Sequence, residues 1–401
     1  MATIAVLGTL DSKGQEHAFV VERIRARGHQ TLLIDVGSGA VPTVNPDITR
    51  NQVAAAAGLD FAELFTRKDR GECVIAMSQA APILLAQLVA AKKIDGVISL
   101  GGGGGTAIAT AAMRALPLGF PKLMVSTLAA GNTAAYLGTQ DIVMMPSIVD
   151  IAGLNSLSRL IFARAVGAIC GMVETTIETV NIRPLVVASM FGNTTACVTE
   201  AKRIIEDAGY EVLVFAATGV GGRAMETLIE SGLVVGVLDL TTTEWADELV
   251  GGVLTAGPTR MDAVANAKIP AVIAPGCLDM VNFGEPCSVP KKFADRTFYN
   301  HNSQITLMRT TADECTELGQ ILATKVNRYT ALATLMIPLK ALSVISAAGQ
   351  PFHDPLADQA LFTALRKYCQ QPVEILDEEI NSVAFARACA EKLISLMTFT
   401  P

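Results

Sequence analysis

The chain has 401 residues, 51% hydrophobic and 17% charged, with a mean hydropathy of +0.42. At roughly 150 residues per domain this implies two or three domains, and the apolar content excludes a disordered chain. The net charge is −7 and basic residues do not cluster in runs, which excludes the electrostatic footprint of a nucleic-acid groove.

The first elements read cleanly. Residues 3–7 form an apolar run, followed by the turn Gly8-Thr9-Leu10-Asp11-Ser12-Lys13 and a helix-period segment over 15–27 that places Phe19, Val20 and Ile24 on one face. Gly28 stops that helix, and 31–35 is the next strand. Such continuous apolar runs are expected of buried parallel strands. An insertion over 39–68 predicts a loop and a helix, and 161–179 predicts another helix. Strand 94–100 leads into five glycines and Thr106, and strand 120–126 into Leu128-Ala129-Ala130-Gly131-Asn132.

The same order returns from residue 185. Strand 185–188, turn 189–195, helix 197–208 and strand 211–215 repeat the opening unit. Strand 234–240 leads into Thr241-Thr242-Thr243-Glu244, and strand 269–274 into 275–279. The extension past residue 330 predicts a strand over 337–343, a turn at Pro351-Phe352-His353-Asp354-Pro355 and two helices. The expected fold is α/β, with two Rossmann-like domains on parallel sheets, related by internal duplication and occupying 1–180 and 181–401. A linker is expected between 178 and 184, where Arg183-Pro184 disfavours helix.

Compartment signals agree with one another. The apolar stretches 80–91 and 331–345 are interrupted by Gln87 and by Pro338 and Lys340, so no membrane span is expected. No basic residue precedes the first apolar run, against a secretory signal. The eight cysteines form no CxxC pair, and Cys170, Cys197 and Cys389 read as small core residues. The expectation is a reduced, cytoplasmic protein.

In open parallel sheets, ligands collect where strand ends meet helix N-termini. Gly101, Gly102, Gly103, Gly104, Gly105 and Thr106 bring backbone amides and a helix N-terminus together, which suits a phosphate or other anion. The alternative is a tight turn needing positive φ. The matching turn of the second half has no glycine, so the architecture alone does not demand five. Neither a complete dinucleotide fingerprint nor a P-loop is present. Gly8, Thr9, Asp11, Ser12 and Lys13 form a second candidate: Lys13 for phosphate, Asp11 for Mg²⁺ through oxygen, against plain helix capping. Gly131 and Asn132 are candidates for base or ribose, and Asp35 for ribose or a strand-end role.

In the second half, Asp239, Glu244, His301 and Arg309 are the candidate catalytic groups around a small anionic substrate, with capping as the alternative for Asp239 and Glu244 and a surface ion pair for Arg309; His301 is read as acid/base or metal ligand. His17 and His29 read as surface residues, His353 as another polar-turn histidine, and Asp354 as an N-cap before Pro355. No HxxxH or HExxH spacing supports zinc.

Together, Gly8–Lys13, the glycine run, Asp279-Met280-Val281-Asn282-Phe283-Gly284, Leu307-Met308-Arg309-Thr310-Thr311 and Phe352-His353-Asp354-Pro355 resemble an uncharacterised bacterial family. That family is similar to the ATP-binding N-terminal region of the tomato mosaic virus resistance protein. The resemblance spans the chain and implies two Rossmann-like domains, ATP with Mg²⁺ on the first, and a homodimer. In the plant relative a TIM-barrel-like domain follows, so a separate TIM-barrel-type protein is an expected partner here. That relative blocks viral replication by binding a viral protein, which says little about a bacterial-type role. Ser12 stands where the family has Thr, keeping the hydroxyl, and Cys277 replaces a small residue. The leading expectation is an ATP-binding, Mg²⁺-dependent enzyme acting on a small acidic metabolite across an interdomain cleft. The alternatives are a non-catalytic, ATP-responsive protein that engages a protein partner, and an enzyme using a nucleotide sugar or NAD.

Overall fold

Residues 1–67, 69–176 and 183–398 are described by the computed structural model, in two units, Met1–Thr179 and Val180–Pro401. The expected linker falls mostly outside the described residues.

The first unit runs β1 (Thr3–Gly8), α1 (Leu10–Ala26), β2 (Gln30–Asp35), α2 (Arg50–Ala56), α3 (Phe61–Thr66), α4 (Arg70–Ala90), β3 (Gly96–Gly101), α5 (Gly103–Arg114), β4 (Lys122–Ser126), α6 (Ala134–Leu137), β5 (Val143–Pro146) and α7 (Ser156–Glu174). Its sheet has the order β2-β1-β3-β4-β5, parallel throughout. Residues of alternate parity in each strand face opposite layers: Ala5 and Leu7 pack with Met77, Ala80 and Leu85 of α4, while Ile4 and Val6 pack with Phe162, Ala165 and Ile169 of α7. Helices α4 and α7 are each long and apolar enough, by length and composition, to cross a membrane. Each nevertheless spends one face on this sheet.

The second unit runs β6 (Leu185–Met190), α8 (Thr195–Asp207), β7 (Glu211–Ala216), α9 (Val220–Glu230), β8 (Val234–Thr241), α10 (Glu244–Val250), α11 (Asp262–Ala267), β9 (Ala271–Gly276), β10 (Met280–Phe283), β11 (Phe298–Asn302), β12 (Ile305–Arg309), α12 (Ala312–Val326), β13 (Ala333–Pro338), α13 (Pro355–Tyr368), β14 (Val373–Leu376) and α14 (Val383–Thr398). Its parallel sheet is ordered β14-β13-β9-β8-β6-β7, beside an antiparallel sheet β10-β12-β11. The first four parallel strands of each unit thus take the same order, the second-first-third-fourth arrangement of doubly wound folds.

Several expectations need correction. The insertion holds two short helices, α2 capped by Thr49 and Gln52, α3 by Asp60. Helix α7 starts at Ser156 because Asn155 accepts from the amides of Leu157 and Ser158. Strand β13 ends at Pro338, five residues before the expected limit. His17 and His29 are buried rather than at the surface. His17 donates from Nδ1 to the Lys13 carbonyl at 2.7 Å, and burial lowers its pKa. His29 meets Glu174 at 2.7 Å.

Candidate functional site

The strand order of the first unit reverses between β1 and β3, and both strands end in the turns singled out by sequence. A cavity of about 440 Å³ opens there, lined by Thr9, Asp11, Ser12, Lys13, Ser38, Gly39, Ala40, Arg70, Val74, Gly102, Gly103, Gly104, Gly105 and Ile108.

Helix capping marks this edge. Side chains at the N-cap position cap α2, α3, α4 and α7; the first amide of α1, on Leu10, is met from β2 by Asp35, and no side chain caps α5. The first amides of an α-helix have no partner within it. In α5 those amides belong to Gly103, Gly104 and Gly105, at the positive end of the helix dipole. None of the five glycines has positive φ, so the turn does not require glycine conformationally. Only Gly101 is needed for packing, since a Cβ there would lie 2.8 Å from Gly105 C and Thr106 N. At Gly103 an added Cβ would meet nothing within 4 Å, and at Gly104 and Gly105 only ordinary contacts. Glycine at these positions keeps space and amides open toward the cavity.

Around this cradle stand two cations and one carboxylate. Lys13 sits at a break in α1 (φ −134, ψ 29) and donates from Nζ to the Ile151 carbonyl at 2.5 Å, which leaves further N–H groups on the ammonium. Arg70, the first residue of α4, makes no ion pair among the described residues. Asp11 accepts from the Gly39 amide at 2.6 Å and from Ser12 Oγ at 3.3 Å. A lone carboxylate suits Mg²⁺, which keeps waters and takes the rest of its shell from substrate phosphates. No cluster of three or more metal-ligating side chains occurs among the described residues.

Other sequence candidates lie apart from the cavity. Gly8 is buried against His17, and Thr106 Oγ1 is spent on Ser126 Oγ at 2.7 Å. Gly131 and Asn132 do not line it; Asn132 Oδ1 accepts from the amide of Ala134. Asp35 has a strand-end role, accepting from the amides of Leu10 and Gly37 and from Arg50 Nε. Sequence reasoning missed Arg70 and Ala40, and from the turn Asp35-Val36-Gly37-Ser38-Gly39 it singled out Asp35 rather than Ser38 and Gly39, which line the cavity. Asp69, the cap before Arg70, was the available signal, but nothing linked α4 to the glycine loop.

At the corresponding strand ends of the second unit, polar side chains bond one another. Ser189 Oγ donates to Asp239 at 2.6 Å, and Thr194 Oγ1 meets Thr241 Oγ1 at 2.7 Å. Behind them Arg260 is buried and forked: Nη1 and Nη2 reach Asp239 at 2.7 and 2.8 Å, and Nε reaches Glu244 at 2.7 Å. Glu226 completes the cluster at 3.2 Å. Asp239 and Glu244, expected as catalytic, are enclosed partners of one arginine, each 1% exposed. Arg309, also expected as catalytic, is buried and donates to the Phe352 carbonyl and to Asp358 at 2.9 and 2.5 Å. His301 is exposed on β11. The structure does not join these four residues into one site. Asp354, as expected, caps α13 ahead of Pro355.

Over residues 2–178 the chain matches the Uncharacterised protein family (UPF0261) N-terminal domain, and over 183–397 the same family's C-terminal domain. The chain belongs to the UPF0261 family. A UPF0261 protein of Clostridium tetani (strain Massachusetts / E88) is 48% identical over 398 residues, covering 98% of both chains. The ToMV resistance protein Tm-1(GCR237) of Solanum lycopersicum is 37% identical, and the match covers 97% of this chain and 55% of the tomato protein. Among solved structures, UDP-N-acetylglucosamine 2-epimerase from Rickettsia bellii aligns at 11% identity and a TM-score of 0.23, covering 68% of this chain and 78% of that one. Acinetobacter baumannii MurG aligns at 14% identity and a TM-score of 0.22, covering 98% and 100%. Scores this low carry no substrate across to the UPF0261 chain.

One further carboxylate in this UPF0261 chain sets a pH dependence. Asp247 of α10 is buried and accepts from the backbone and side-chain amides of Asn282, anchoring β10. Burial pushes its pKa up to about 7, with the Glu244 charge adding to the rise. Burial likewise raises Asp358 to about 6. A carboxyl whose folded-state pKa lies above its unfolded value stabilises most at low pH, and that stability is lost as pH rises through the folded value. Urea melts of the second unit's signal should therefore weaken between pH 5 and pH 8, by about 2 kcal/mol for Asp247. Asp247→Asn should flatten that slope; an unchanged slope would contradict the assignment.

Proposed function

We propose that the first unit binds the phosphate chain of a nucleoside triphosphate as its Mg²⁺ complex. ATP is the nucleotide that the sequence resemblance implies. The observation that carries this reading is the set of uncapped amides at Gly103, Gly104 and Gly105, which border the cavity, with nothing within 4 Å of where a Cβ at Gly103 would lie. Lys13 and Arg70 supply positive charge, and Asp11 supplies an oxygen for the metal. Amide-to-anion hydrogen bonds of this kind are charge-assisted and worth about 1.5–3 kcal/mol each. Calorimetric titration with ATP in the presence and absence of Mg²⁺ tests the reading. Binding strengthened by Mg²⁺ supports it, and no heat at millimolar ATP rejects it. A thermal-shift panel with NAD and nucleotide sugars separates the rival cofactors.

The leading expectation, an enzyme acting on a small acidic metabolite, places that substrate in an interdomain cleft against the polar turns of the second half. Enclosure of Asp239 and Glu244 favours the other reading, a nucleotide-responsive protein that engages a partner. ATP-dependent stabilisation without turnover would support that reading, and multiple turnover would reject it.

A further inference from the structure

Beside the phosphate cavity lies a second opening of about 360 Å³, bordered by the end of β2, α2 and α3. Its wall is apolar, from Val41, Pro42, Phe61 and Phe65, and it shares Gly39 and Ala40 with the phosphate cavity. Three planar groups form one stack along this wall. Phe61 and Phe65 have ring centroids 6.1 Å apart at 26°, and the Arg50 guanidinium lies 5.6 Å from the Phe61 centroid. Arg50 is fixed by Asp35 at Nε (2.7 Å) and by the Gly39 carbonyl at Nη1 (2.9 Å), while its buried Nη2 has no acceptor. Its charge is balanced by Asp35, so the slot does not compete for phosphate. Phe65 is 46% exposed at the end of the stack, a large ring left facing solvent.

We propose that this slot seats the heteroaromatic base of the nucleotide whose phosphates occupy the glycine cradle. The proposal rests on the phosphate assignment above and adds where the head of the ligand lies and what recognises it. A flat apolar wall next to an anion cradle matches a ligand with a planar head and an anionic tail. Stacking on an aromatic face is available to any base, so Phe65 supplies affinity. Asn51, exposed at the rim, offers a side-chain amide as both donor and acceptor to the base edge.

The test compares ATP with inorganic tripolyphosphate, which has the tail and no base. Wild-type protein should bind ATP more tightly than tripolyphosphate. Phe65→Ala should weaken ATP by about tenfold and leave tripolyphosphate unchanged. In Phe65→Trp, ATP should quench the added fluorescence and tripolyphosphate should not; the chain's one native tryptophan, Trp245, is buried and serves as the wild-type background. Equal ATP affinity in wild type and Phe65→Ala, or no quenching in Phe65→Trp while tripolyphosphate still binds, overturns the base site alone. Failure of wild-type protein to bind either probe overturns the phosphate assignment, and the base site with it.

Discussion

Gly103→Val should cost the protein about a hundredfold in ATP affinity while changing its stability by no more than ~0.5 kcal/mol. The two halves of this expectation come from the same geometry. A Cβ at Gly103 would have nothing within 4 Å, so the folded protein accommodates the branch without moving a neighbour. The branch instead occupies the space in which a phosphate must approach the amides of Gly103, Gly104 and Gly105. Losing two charge-assisted hydrogen bonds at roughly 1.5 kcal/mol each gives the hundredfold figure. Calorimetry beside thermal melting checks both halves. A large loss of stability would mean the glycine is needed for packing, and unchanged affinity would mean that the phosphates lie elsewhere. Lys13→Ala is a poorer probe, because Lys13 also holds the Ile151 carbonyl. Arg70→Ala is cleaner, since Arg70 is exposed and unpaired among the described residues.

Arg260→Met should destabilise the second unit by about 3–5 kcal/mol, a large share of the 5–15 kcal/mol typical of a folded domain. Arg260 is 1% exposed and its donors reach Asp239, Glu244 and Glu226. Removing it leaves three carboxylates in or near the interior with no cation. Burial already raises the pKa of Glu226, and without Arg260 all three would have to take up protons or draw in water. Urea denaturation at pH 8 should show the full loss, and lower pH should recover part of it as the carboxyls protonate. Arg203→Ala, which breaks only the exposed pairs with Glu200 and Asp207, should cost less than ~1 kcal/mol. A small effect of Arg260→Met would mean the cluster is not holding the unit together.

The architecture was legible because its strands are buried on both faces. Runs such as 94–100 and 234–240 carry no alternation to confuse with amphipathic elements, and glycines such as Gly28 and Gly209, both at positive φ, mark the helix ends. The repeated strand–turn–helix order then gave the parallel sheets. The antiparallel sheet was missed because its strands are only four or five residues long and the polar run Asn300-His301-Asn302 of β11 reads as a turn. Strand β14, also four residues and half-buried, left equally little signal.

The candidate site was legible only in part. The glycine run stands out against Thr241-Thr242-Thr243 in the matching turn, and the structure shows open space where the glycines lack side chains. Ala40 lies in the insertion after β2 and Arg70 at the start of α4, and no local spacing tied either to the glycine loop. In the second unit, residue type misled. Asp239 and Glu244 resemble an acid/base pair in sequence, but their roles depend on Arg260, whose approach no local spacing reveals. His17 misled similarly: its position on α1 suggested solvent, whereas Gly8 leaves the gap that its ring fills.

The most direct measurement is a crystal structure of the wild-type chain grown with saturating ATP and magnesium. The expected result is phosphate oxygens within hydrogen-bond distance of the Gly103, Gly104 and Gly105 amides, with the metal on Asp11. Nucleotide seated at another strand edge, or this cavity left empty at saturation, would contradict the proposed site.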